Sequence, residues 1–210
     1  MANTAERAQP IILGLTGPVA CGKTTVGDLL LRLGALARID TDRVVHELLN
    51  GGPVADEVVE AFGRDILGPS GLIDRRKLGS RVFADPSALA RLEAIVHPPV
   101  TRVVRQKISE VSGRNGVVVV DAVKLLQSEL LPLCSAIWVV TCDREEERRR
   151  LIGIRAMTAP DADARLAAQP SFDHPAVSAL IRNDGSLAEL EDQVSTLWNR
   201  LIRSSPDRGD

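Results

Sequence analysis

The chain has no tyrosine, and its 210 residues include only three phenylalanines and two tryptophans. So few aromatic side chains nearly exclude the base-stacking platforms on which single-strand binders rely. Basic residues do not outnumber acidic ones: 26 Lys and Arg stand against 28 Asp and Glu, a formal charge of -2. A general nucleic-acid binder carries a basic excess, so no nucleic-acid partner is expected. The three cysteines, Cys21, Cys134 and Cys142, form neither a CxxC pair nor a disulfide framework, which suits a reducing cytosol. No apolar run reaches the roughly 18 to 20 residues of a membrane span, and Ile11–Leu15 is too brief for a signal-peptide core. These absences predict a soluble cytoplasmic protein without a membrane partner; they leave the oligomeric state open. Lysine is also scarce, with four residues at 23, 77, 107 and 124 against 22 arginines. Each lysine is therefore worth placing.

What is present alternates between two periodicities. Short apolar runs at Ile11–Leu15, Ala35–Asp40, Val117–Asp121, Ala136–Thr141 and Ala179–Asn183 read as strands buried on both faces. Helical patterns fill the intervals: Lys23–Leu33, Asp42–Asn50, Pro53–Phe62, Asp74–Phe83, Pro86–Ser112, Asp143–Arg155, Ala162–Ala168 and Leu187–Ile202. Strands alternating with helices predict an α/β protein with a parallel sheet covered on both faces. The stretch from Thr41 to Asn115 is too long for one crossover helix and reads as a helical insertion after the second strand.

Gly17-Pro18-Val19-Ala20-Cys21-Gly22-Lys23-Thr24 matches G-x-x-x-x-G-K-[ST], between the first strand and the first helix. In such a loop the glycines let successive N–H groups turn inward onto phosphate oxygens, and the helix N-terminus adds its dipole. Lys23 then reaches the β- and γ-phosphates of ATP, and the Thr24 hydroxyl is a ligand for Mg²⁺; Thr25 completes the cradle. A chance match in a glycine turn is the competing reading, and the strand–turn–helix context speaks against it. Cys21 is either a small spacer or a thiol made oxidation-sensitive by the helix end.

Arg38-Ile39-Asp40-Thr41-Asp42 places two acids at the end of the second strand. Ligands of a doubly wound sheet sit there, so Asp40 is the candidate base for an acceptor hydroxyl. Asp42 is a helix cap or an accessory acid. Asp121 closes the third strand, either as a carboxylate holding Mg²⁺ through water or as a structural acid.

With these elements in place the chain resembles the dephospho-coenzyme A kinase family nearly end to end. The resemblance begins at Leu13–Gly17 and the loop, and continues through Ile39–Leu48. Its most telling stretch is Phe62–Leu67, Gly71–Leu78, Val82–Pro86 and Leu92–Pro98; Arg150-Leu151, Arg155, Ala167–Gln169 and Asn183–Gly185 extend it. The resemblance implies a three-layer P-loop NTPase fold with a five-stranded parallel sheet, a helical acceptor-binding insert and a helical lid. The core would comprise residues 1–45, 113–142 and 176–210, the insert 46–112 and the lid 143–175. The implied reaction carries the γ-phosphoryl of MgATP to the ribose 3′-hydroxyl of dephospho-CoA. Arg150 and Arg155 fall on family arginine positions, and at least one of them would meet phosphate on closure. Arg76 and Lys77, with Arg75, would anchor the acceptor's phosphates. His97 is a packing residue or an acceptor neighbour, and Asn183 would contact adenine. Arg148 and Arg149 read as surface pairs.

The chain departs from the family at Lys124 and Gln127, where Pro and an acid are usual, and at Pro170–Ser178, about two residues shorter and without the family's Lys and Ala-Asp pair. Those departures bear on lid contacts, rate and acceptor preference. Two rival readings are a shikimate- or gluconate-type P-loop kinase and a catalytically weakened ATP-binding paralogue.

Overall fold

The computed structural model describes residues 9–83, 85–154 and 157–204. Five strands form one sheet: β1 (Ile11–Thr16), β2 (Ala37–Asp40), β3 (Val117–Asp121), β4 (Ala136–Thr141) and β5 (Ala179–Arg182), in the order β2-β3-β1-β4-β5. The sheet is parallel, with Leu15 opposite Asp121 of β3 and Trp138 of β4. Parallel strands need long crossovers, and here those are helices, giving a three-layer α/β fold. The helices are α1 (Lys23–Arg32), α2 (Thr41–Leu49), α3 (Pro53–Phe62), α4 (Arg75–Phe83), α5 (Pro86–Ser109), α6 (Arg144–Gly153), α7 (Ala159–Ala167) and α8 (Leu187–Arg203). Among the described residues three short 3₁₀ turns, at Arg64–Ile66, Leu125–Gln127 and Leu131–Leu133, carry no sequence periodicity that would announce them.

The chain divides into two compact units, residues 1–39 with 110–210, and 40–109. In the first, Leu13, Leu15, Val117, Val119, Trp138, Val140 and Ile181 face one side of the sheet and pack with Val26, Leu29 and Leu30 of α1 and Leu190, Val194 and Trp198 of α8. All five residues of β3 are buried, as its unbroken Val run predicts. On the opposite face Gly14 leaves room for the segment after β3: a Cβ there would meet Leu125 Cδ2 at 2.5 Å and Cys134 Sγ at 3.0 Å. Helix α8 starts with a capping box, Ser186 and Glu189 satisfying each other's backbone N–H groups.

In the second unit α2, α3 and α4 each pack on α5. Buried Val44, Val58, Phe62, Ile66, Leu78, Val82, Val96, Val100 and Val104 supply its core. Helix α5 runs through Pro98 and Pro99, where the ladder necessarily lacks two N–H donors.

Candidate active site

The first strand delivers the chain to a tight turn that only glycine can begin and end. Gly17 has φ 140°, and a Cβ there would collide with the Val140 carbonyl of β4. Gly22, at φ 97°, caps α1, and a Cβ would collide with the Asn183 side-chain amide. Between them Ala20 occupies the left-handed region at φ 63°, a conformation that non-glycine residues hold only when their surroundings impose it. Its carbonyl accepts from Arg150 Nη1 at 3.4 Å.

Lys23 folds back over the turn, its ammonium donating to the carbonyls of Gly17 (2.8 Å) and Pro18 (3.0 Å). These bonds hold the curl closed and fix a positive charge above it. Thr24 is exposed on the first turn of α1 and Thr25 is half-buried beside it. The arrangement fits a nucleotide phosphate chain: glycine positions a side chain would fill, N–H groups at a helix N-terminus, and a fixed cation. It also fits Mg²⁺ in the usual way for phosphate transfer. Among the described residues no group of three or more His, Cys, Asp or Glu could form a protein cage. The ion would be held by phosphate oxygens, water and the Thr24 hydroxyl.

Residues of α6 and the segment after α7 converge on the same turn. Gln169 accepts from the Val19 N–H at 3.0 Å and donates to Glu147 Oε1 at 2.6 Å. Glu147 is buried, and burial pushes its carboxyl above the ordinary value despite the hydrogen bond from Gln169 and the charges of Arg144 and Lys23. Sequence reasoning missed Glu147 inside its acidic run; the available signal was its i,i+4 spacing to the buried Leu151. Gln169 entered only through the family resemblance. Arg150, mostly buried, donates to Glu146 Oε1 at 2.6 Å and to the Asn183 carbonyl at 3.0 Å, which with its Ala20 contact seats it against the turn. Arg148 pairs with Asp163 of α7 and Arg149 with Glu146, both partly exposed. Arg155 lies outside the described residues.

Asn183, at the end of β5, donates to the Cys21 carbonyl at 2.9 Å. Its amide therefore braces the loop backbone. Cys21 is neither a free spacer nor a free thiol: it is joined to Cys142 in a disulfide, with Cα atoms 5.2 Å apart. This corrects the expectation that the cysteines form no disulfide. The two lie 121 residues apart in sequence, and only the pairing of β1 with β4 brings the ends of those strands together. Cys134 is free.

Asp121 is buried and committed to an ion pair with Arg38, which also donates to Asp28 at 2.9 Å. Asp40 closes β2 and is itself the N-cap of α2, accepting from the Arg43 N–H at 3.1 Å. The cap expected of Asp42 thus belongs to Asp40; Asp42 sits in the first turn of α2, where its charge suits the helix dipole.

In the helical unit Asp74 caps α4 through the N–H groups of Arg76 (2.9 Å) and Lys77 (3.4 Å). Lys77 Nζ donates to the Leu67 carbonyl at 2.6 Å, bracing the loop that the Leu67–Ile73 bridge closes. Arg75, Arg76 and His97 are exposed.

A 2-3-1-4-5 parallel sheet whose central strand feeds a lysine-braced phosphate loop defines a P-loop small-molecule kinase. The family model for dephospho-CoA kinase matches residues 11–189, and the chain belongs to that family. The dephospho-CoA kinase of Streptomyces avermitilis is 41% identical over 201 residues, covering 94% of this chain and 97% of its own. The crystal structure of TT1252 from Thermus thermophilus superposes with a TM-score of 0.76 at 28% identity, over 92% of this chain and 98% of that one. Shikimate kinase from Bacteroides thetaiotaomicron, at 16% identity and a TM-score of 0.51 over 91% of this chain and 98% of its own, shares the fold.

Proposed function

We propose that this kinase phosphorylates the ribose 3′-hydroxyl of dephospho-CoA with MgATP. The observation that carries this reading is the reach of the family match. It extends over residues 11–189, through the whole helical unit 40–109, while the phosphate loop alone says only that a nucleotide binds. In the proposed step the 3′-oxygen forms a bond to the γ-phosphorus as the bond to the β,γ-bridging oxygen breaks. The hydroxyl proton passes to Asp40, and ADP leaves. Lys23 and Arg150 offset the charge on the transferring group, as fixed donors do best in a site closed to water. Thr24 would hold Mg²⁺ beside the phosphates, and the ion when bound would supply positive charge against the transferring group. Asp121 would act on the hydrated ion only from within its pair with Arg38.

In the same reading the helical unit binds the acceptor, with Asp42, Arg76, Lys77 and His97 nearest it, and α6 and α7 form a lid over the nucleotide. The expected compartment is the cytoplasm. Coupled assay of ADP release tests the reading: release should depend on dephospho-CoA and ignore shikimate. Release that follows shikimate instead overturns it, and nucleotide binding without turnover on either acceptor points to a weakened paralogue.

A further inference from the structure

We propose that Cys21 and Cys142 form a reversible thiol–disulfide site that sets how freely the phosphate loop moves against α6. This rests on the reading of α6 and α7 as a closing element. Cys21 is the residue before the loop's last glycine, and Cys142 directly precedes Asp143, the N-cap of α6. The bond therefore spans the ends of β1 and β4, two neighbouring strands whose chains leave in opposite directions along the sheet. Ligands of open α/β sheets bind at such a crevice. Loop and helix are otherwise joined there directly by Arg150 to the Ala20 carbonyl, and indirectly through Asn183, which donates to the Cys21 carbonyl and accepts from Arg150, and through Gln169, which links the Val19 N–H to Glu147. Those are hydrogen bonds, able to break and reform during a catalytic cycle. The disulfide is the one covalent tie among them, and it removes relative motion that the hydrogen bonds permit.

The site also has directional chemistry. Cys21 is fully buried and Cys142 half-buried, so of the two residues Cys142 is the one on the side a small thiol approaches. In reduction a reductant thiolate attacks Cys142 Sγ, and Cys21 Sγ takes the bonding electron pair and departs as a thiolate. That departure occurs at the N-terminal end of α1, which favours negative charge. A second reductant thiolate attacks the reductant sulfur of the mixed disulfide, forming the oxidised reductant and freeing the Cys142 thiolate; each protein thiolate takes a proton from water. Oxidation is the reverse, with a low-molecular-weight disulfide as the two-electron acceptor that leaves as two thiols. In a reducing compartment the pair rests as thiols, so the tie forms when disulfides accumulate and turnover slows.

The full-length chain, equilibrated with reduced or oxidised dithiothreitol and then alkylated after denaturation, tests the proposal. One reactive thiol is expected in the oxidised sample, from Cys134, and all three in the reduced one. Hydrogen exchange over residues 17–24 and 143–153 should quicken several-fold on reduction, a readout that holds whichever acceptor the enzyme uses. With dephospho-CoA, kcat should rise at least threefold on reduction while the KM for ATP stays within twofold. Cys142→Ser and Cys142→Ala should match the reduced wild type and ignore the redox state. Three reactive thiols under oxidising conditions, unchanged exchange on reduction, or redox sensitivity that survives in both Cys142 variants overturns the proposal. Absence of turnover in the reduced enzyme would instead count against the acceptor reading, leaving the thiol count and exchange to judge the switch.

Discussion

Arg38 grips Oδ2 of Asp121 with two donors, Nη2 at 2.6 Å and Nε at 3.2 Å. Both side chains are about nine-tenths buried, so each is the partner that makes the other's burial tolerable. Asp121→Asn should lower stability by roughly 3 kcal/mol, near the lower end for an orphaned buried charge because Asp28 still meets Arg38. Urea unfolding measures this. If the pair is the main duty of Asp121, the Mg²⁺ concentration for half-maximal rate stays within about twofold of wild type. A shift of tenfold or more would assign the carboxylate to the metal.

Asp40 caps α2, and in the proposed reaction it also takes the acceptor's proton; substitutions separate the two roles. Asparagine caps a helix about as well as aspartate but takes no proton. Asp40→Asn should therefore leave the thermal midpoint nearly unchanged while turnover falls by roughly 10²–10⁴. Asp40→Ala should lose the same activity and about 1 kcal/mol of stability as well. An Asn variant with normal kcat would remove Asp40 as the base.

Gln169 links the phosphate loop to a buried carboxylate. Gln169→Ala removes the acceptor from the Val19 N–H and the donor from Glu147. One net hydrogen bond of about 1 kcal/mol corresponds to a roughly fivefold weakening of nucleotide binding, measurable by calorimetry. The raised Glu147 carboxyl also has a signature in stability. The folded state holds its proton to higher pH than the unfolded chain, so stability falls as pH rises above the ordinary value of 4.5. Glu147→Gln should remove that slope; an unaltered slope would mean that other groups carry it.

Cys134 provides a second pH signature. Burial pushes its thiol up to about 11 from the ordinary 9.0. Between those values the unfolded chain loses the proton first, so stability declines as pH rises through that window. Native alkylation at neutral pH should be slow and should accelerate with pH up to about 11. Cys134→Ala should flatten the alkaline limb of the stability profile. Rapid alkylation at neutral pH would contradict the burial of this thiol.

The five strands and the order of helices were legible because buried parallel strands and amphipathic helices have distinct periods. The β3 run of four Val before Asp121 is the clearest case. Local capping was less legible. Helix α7 begins three residues before its apolar pattern, at Ala159, because Thr158 caps it through the Asp161 N–H. The Asp40–Asp42 ambiguity is of the same kind: either acid could cap, and the backbone path out of β2 selects Asp40. The phosphate loop was readable from spacing, but the partners that brace it were not. Glu147, Gln169, Asn183 and Cys142 lie 120 or more residues away and meet the loop only through the strand order, which no local pattern encodes.

Trp138 in β4 and Trp198 in α8 are both buried in the core of the first unit, and the helical unit contains no tryptophan. With tyrosine absent, the tryptophan emission of this enzyme reports one unit alone. Loss of helix in residues 40–109 would be seen by circular dichroism and not by fluorescence. Non-coincidence of those two unfolding curves would separate the melting of the helical unit from that of the nucleotide-binding unit without a label.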